Sequence, residues 1–205
     1  MICNSGVGLT PRVEGRALRF SAGGLYDGLF LMVDDETRTY WSHVTGEALH
    51  GPLAGARLPV WGVTQIDAGA VPDPDRVALL RSRPGWARRL VMRFLFFGGK
   101  LAWFPPGFRA TMGGSDPRLP EMEMGLGVVD GDVRRFYPRR AIGEGLDDRI
   151  AGRRIRIAPG ASDRTPRASW EDGSRPLQMF TRWYGFAASF PGCEVHGVDS
   201  TRGET

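Results

Sequence analysis

Short apolar runs, punctuated by tight-turn dipeptides, dominate the pattern of this chain. Residues 16–20 alternate, with Leu18 and Phe20 on one face. Residues 29–33 form an unbroken apolar run, as expected of a strand covered on both sides. Asp34, Asp35 and Glu36 then make a polar turn into a strand over 39–44. Residues 128–137 read as a hairpin around Asp130-Gly131, and 153–158 set Arg154 and Arg156 against Ile155 and Ile157. The aromatic stretch 177–186 reads as a central strand. Asp27-Gly28, Asp130-Gly131 and Asp172-Gly173 carry the positive-φ chemistry of tight turns, and Thr45-Gly46 and Gly98-Gly99 are weaker signals of that kind.

The helical period is confined to two places. Asp73 caps a short helix with Pro74 at its first position, running through Val77 and Leu80. A second begins near Pro84 and runs to about Phe97, with Trp86, Leu90, Val91, Phe94, Leu95 and Phe97 on one side and Arg88, Arg89 and Arg93 on the other. The stretch 103–124, rich in Pro and Gly, reads as a long ordered loop. These elements predict a mainly β fold, an antiparallel barrel-like or sandwich sheet with two short helices. One domain is expected over residues 1–197, followed by a polar tail over 198–205.

Composition narrows the function classes. The 205 residues are 41% hydrophobic and 24% charged, which suits a globular chain able to bury a core without a disulfide framework. The net charge of +4 comes almost wholly from arginine, Lys100 being the single lysine, and no basic run marks a nucleic-acid partner. No stretch is long and apolar enough to span a membrane. No apolar signal region follows Met1, so the expected location is cytoplasmic as the chain is written; upstream sequence could carry a signal. Three scattered histidines offer no metal site, and no dinucleotide or phosphate loop implies a cofactor.

Four stretches stand out: MICNSGVGLTP, FSAGGLYDGLFLMVDDETRTYWSHVTGEALHGPLAG, FRATMGGSDPRLPEMEMGLGV and QMFTRWYGFAASFPGCEV. Together they resemble domain-of-unknown-function family 3179, uncharacterised prokaryotic proteins of which some are described as selenoproteins. The resemblance implies a Cys-x-x-Cys motif, with selenocysteine sometimes in its first position. Cys3 matches the second position, and the first falls immediately before Met1. The resemblance also implies further N-terminal sequence. Selenocysteine is encoded by a codon ordinarily read as stop, so the expectation is a gene model truncated at Met1, with Cys3 as the surviving half of the motif.

Cys3 is therefore the first candidate, as the nucleophile of a thiol or selenol oxidoreductase acting on a small-molecule or protein disulfide or peroxide. Asn4, the Ser5 hydroxyl and Gly6 form a turn-prone stretch suited to stabilising a thiolate. On strand 39–44, Trp41 and His43 share one face and Ser42 lies on the other; His43 would shuttle protons and the pair Trp41 and Ser42 would bind. Arg182 and Trp183, in the aromatic frame FTRWYGF, are candidates for stacking or carboxylate binding. His50, His196 and Cys193 are weaker, and Cys193 reads as a small core residue or a distant resolving thiol. The alternative function is a binding module with a structural Cys3, touching a membrane surface through 86–97.

Overall fold

The computed structural model describes residues 6–63, 71, 73, 76, 85–87, 104, 107–160 and 165–198. Among the described residues strand outweighs helix, 46% against 12%, in several antiparallel sheets with no closed barrel.

The first half holds a four-stranded meander: β4 (Phe20–Tyr26), β5 (Leu29–Asp34), β6 (Tyr40–Ser42) and β7 (Ala48–His50), in that order. Ahead of it, β1 (Val7–Leu9) pairs with β8 (Val60–Gly62), and β2 (Arg12–Val13) pairs with β3 (Arg16–Ala17). Asp27 and Gly28 form a two-residue turn between β4 and β5. Both have positive φ, 50° and 68°, the primed geometry that matches the strand twist. Leu18, Trp41, Ala48 and Leu58 form the meander's core.

The second half is layered. Strands β9 (Met124–Asp130), β10 (Val133–Pro138), β14 (Leu177–Arg182) and β15 (Glu194–Val195) form a central sheet in the order β14-β9-β10-β15. The β9–β10 hairpin closes through Gly131 and Asp132, since Asp130 pairs with Val133. Strands β11 (Leu146–Ile150), β12 (Arg153–Pro159) and β13 (Pro166–Trp170) form a second sheet, reached through the short helix α1 (Arg139–Ile142). Alternation decides which face each residue serves. Leu126, Val128 and Tyr137 join Ile150, Ile155, Ile157 and Trp170 between the two sheets. Phe136 and Met179 point the other way, into a core covered by α2 (Trp183–Ser189).

Two glycines make that second core possible. A Cβ on Gly127 would stand 2.2 Å from the Phe186 ring, and one on Gly125 would stand 2.5 Å from the Phe136 ring. Both rings lie where a side chain would otherwise project, a use of glycine for close approach.

The strand predicted over 177–186 is corrected: it ends at Arg182, and Trp183–Ser189 is helical. Two free N–H groups of the first helical turn are taken by a preceding loop, Trp183 N donating to Glu123 O and Tyr184 N to Glu121 O. The aromatics suit either element, and a loop remote in sequence decides. The Asp172-Gly173 turn exists, with Gly173 N bonded to Trp170 O at 2.9 Å, but it joins β13 to β14 in different sheets. The helix predicted from Asp73 and the one over 86–97 lie largely outside the described residues, as does Gly98-Gly99. The described Trp86 is 80% exposed. The 103–124 loop contains a 3-10 turn, Phe108–Thr111. Val198 bridges Val195 and packs on the α2 core; the tail beyond it lies outside the described residues.

Candidate functional site

Cys3 and Ser5 lie outside the described residues. The remaining candidates from the sequence fall in different surroundings. Trp41 is fully buried, and its Nε1 donates to Asp34 Oδ2 at 2.8 Å. Ser42 Oγ accepts from Val44 N and Thr45 N, closing the turn after β6. His43 lies beyond the strand end, so the alternation expected to place it beside Trp41 stops short. Its Nδ1 meets Phe30 O at 2.6 Å and its ring stands edge-on to Phe30. Arg182 Nη1 donates to Met122 O, fixing the loop ahead of β9. Trp183 is buried, with Nε1 donating to Asp116 O at 2.9 Å. Trp41 and Trp183 are thus core residues whose polar edges are satisfied, and His43, Ser42 and Arg182 brace turns and loops.

One convergence does involve the predicted residues. Val44, next to His43, packs in the same core as Trp183, Phe186 and Cys193. Val7, four positions after Cys3, packs against that core from β1. Beside Cys193, Arg118 forms a two-pronged pair with Asp116, Nη2 to Oδ2 at 2.6 Å, and its guanidinium lies 5.4 Å from the Trp183 ring. The Arg118 bond holds Asp116 below the usual carboxylate range. Burial pushes the Cys193 thiol up to about 11; Arg118 draws it down and Asp116 pushes it up again.

The densest polar cluster gathers across β15, which runs parallel to β10. Glu194 and His196 lie on the side of the central sheet that carries Arg135 and Tyr137, while Cys193 and Val195 belong to the core on the other side. Asp148, from β11, is the hub. It accepts from Tyr137 OH at 2.8 Å, from Arg135 Nη1 at 2.8 Å and from Arg149 N at 2.7 Å, and its Oδ2 lies 3.3 Å from His196 Nδ1. Arg135 Nε also donates to Glu194 at 2.6 Å. The Tyr137 and His196 rings are 5.1 Å apart and inclined at 31°. Burial raises the Asp148 carboxyl, but the donors at Arg149, Tyr137 and Arg135 outweigh it and hold the group below its ordinary value. Burial, with the Asp148 charge, raises Tyr137. A pocket of about 350 Å³ opens here, lined by Arg118, Arg135, Cys193, Glu194 and His196.

Sequence reading missed this cluster except for a weak mark on His196. Its members come from β10, β11, β15 and the turn after β15, and no local spacing joins them. Among the described residues, no group of three or more His, Cys, Asp or Glu side chains could hold a metal ion. No described helix is long and apolar enough to cross a membrane.

The layered β architecture and the three cores define a mainly β protein whose first strand packs against the core that holds Cys193. Residues 1–174 match the family described as "Protein of unknown function (DUF3179)", and the chain belongs to it. No curated protein and no solved structure matches the chain.

Proposed function

We propose that the protein is a thiol-dependent redox protein with Cys3 as the reacting sulfur and Cys193 as its resolving partner. The observation that carries this reading is the packing of Val7 against the core that contains Cys193. Four residues of chain reach about 13 Å at most when extended, which bounds the distance of Cys3 from Val7. In the reaction with a peroxide, the Cys3 thiolate attacks the distal oxygen and the O–O bond breaks. Cys3 becomes a sulfenic acid, and the departing alkoxide takes a proton. The Cys193 sulfur then displaces water from Cys3 to form a disulfide, and a dithiol reductant restores both thiols. Ser5 and His43 are the accompanying candidates for holding the Cys3 thiolate. A thiol or selenol in the position before Met1, which the family motif implies, would be a faster resolving group than Cys193.

The test is turnover of a peroxide and a small disulfide with a dithiol reductant, for the chain, Cys3→Ser and Cys193→Ser. Mass mapping under non-reducing conditions accompanies it. A Cys3–Cys193 cross-link after oxidation, with turnover lost in Cys3→Ser, is expected. Turnover no faster than that of Cys3→Ser overturns the reading.

The exposed Trp86 favours a second reading, a binding module that rests on a membrane surface through 86–97. Co-sedimentation with anionic vesicles should then fall in a Met92→Glu, Phe96→Glu variant. Equal sedimentation removes this reading.

A further inference from the structure

The cluster around Asp148 has the composition of a proton-transfer site, and it uses no cysteine. Asp148 is pinned as a carboxylate by Tyr137, Arg135 and Arg149 N. Its Oδ2 faces His196 Nδ1 at 3.3 Å, which places the imidazole proton on Nδ1 and leaves the Nε2 lone pair for another partner. The main chain at His196 is held by its N–H, which donates to Phe136 O at 2.9 Å, and the Tyr137 ring lies alongside the imidazole. About a third of the His196 side chain, 32%, is exposed, and the residue lines the pocket. A carboxylate that orients a histidine toward a cavity is the arrangement by which imidazole acts as a general base.

Charge narrows what the pocket takes. Arg118 is matched by Asp116, and Arg135 by Asp148 and Glu194. The lining therefore offers no unmatched positive charge to an anion, and its size suits a small molecule.

We propose that His196, oriented by Asp148, activates water against a small uncharged ester in this pocket. Water attacks the acyl carbon and gives its proton to His196 Nε2. The tetrahedral intermediate collapses, the bond from carbon to the alcohol oxygen breaks, and that oxygen takes the proton back. The products are an acid and an alcohol, and Asp148 stays ionised throughout. The charged and titratable groups around His196 are Asp148, Tyr137, Arg135 and Glu194.

The probe is p-nitrophenyl acetate, hydrolysed by the whole chain across a pH series. The rate should rise with pH along a single ionisation and then level off. His196→Gln should lower it about a hundredfold, toward the buffer rate. Asp148→Asn should lower it and displace the pH profile, while His50→Gln, on the distant meander, should change nothing. A chain that hydrolyses the ester no faster than His196→Gln, both folded by circular dichroism, overturns the proposal and leaves the cluster as an inter-sheet brace. If His196→Gln does not fold, diethylpyrocarbonate decides on the unmutated chain. Modification mapped to His196 should abolish hydrolysis, and hydroxylamine should restore it. Hydrolysis that survives modification of His196 overturns the proposal.

Discussion

The side-chain amide of Gln178 pairs with the backbone of Ala168 as a neighbouring strand would, accepting from Ala168 N at 2.6 Å and donating to Ala168 O at 2.9 Å. β13 and β14 belong to different sheets, so the ladder between them is missing, and this one side chain satisfies both main-chain groups of a buried residue. Gln178→Leu removes two hydrogen bonds and leaves a buried donor and acceptor unpaired. The expected loss is about 2–6 kcal/mol, from about 1–3 kcal/mol for each of the two unsatisfied groups. Urea unfolding of both proteins measures it. A loss under about 0.5 kcal/mol would mean that water replaces the amide.

Gly127→Ala should also destabilise, because the new Cβ would meet the Phe186 ring at 2.2 Å, closer than any real contact. Overpacking of this kind costs about 1–3 kcal/mol, and here the obstacle is a ring held in a full core. Pairing Gly127→Ala with Phe186→Leu gives the methyl room. The double variant should lose less than the sum of the two single losses, a coupling readable from a four-protein cycle of denaturation curves. Strict additivity would show that the ring moves aside freely.

These two contacts mark how far the sequence could be read. The hairpin at Asp27-Gly28 and the strand β12 follow from local chemistry: a dipeptide that tolerates positive φ, and an arginine–isoleucine alternation. α2 did not follow, because Trp183, Tyr184 and Phe186 are compatible with strand or helix, and the loop carbonyls at Glu121 and Glu123 choose between them. The Asp148 cluster was illegible for the same reason on a larger scale. Arg135 and Glu194 are 59 residues apart, and only the parallel pairing of β15 with β10 brings His196 to Asp148. Trp41 looked like a binding aromatic. Its role is set by Asp34, seven residues earlier, which turns an apparent ligand contact into a core hydrogen bond.

That Asp34–Trp41 bond makes a pH prediction. Burial alone would raise the Asp34 carboxyl, but bonds from Trp41 Nε1 and from Thr37 and Thr39 outweigh it and depress the folded value. A carboxyl titrates near 3.9 when unfolded, so the stabilisation is complete above about pH 4 and is lost as pH falls through the lower folded value. Asp34→Asn should be less stable than the parent at pH 7, and the gap should narrow in acid. Unfolding followed by tryptophan fluorescence across the acid range tests this. A gap independent of pH would show that the ionised form of Asp34 contributes nothing.

Cys193 supplies the last prediction. In a Cys3→Ser background it is the single thiol, since the chain has two cysteines. It is buried, 3% exposed, and its thiol is raised to about 11. An unperturbed thiol near 8.5 is about a quarter ionised at pH 8, whereas one near 11 is ionised to about one part in a thousand. Since the thiolate is the attacking species, ionisation alone should make reaction with an aromatic disulfide reagent about 250-fold slower in the native protein than in urea, with limited access slowing it further. Arg118→Leu removes the one charge that draws the thiol down, so the native rate should fall again rather than rise. Asp116→Asn should act in the opposite sense, leaving Arg118 unopposed beside the sulfur. If Arg118→Leu instead speeds the reaction while the fold persists, the guanidinium shields Cys193 sterically and does not stabilise its thiolate. Resolution of an oxidised Cys3 would then be limited by access to Cys193 rather than by its ionisation.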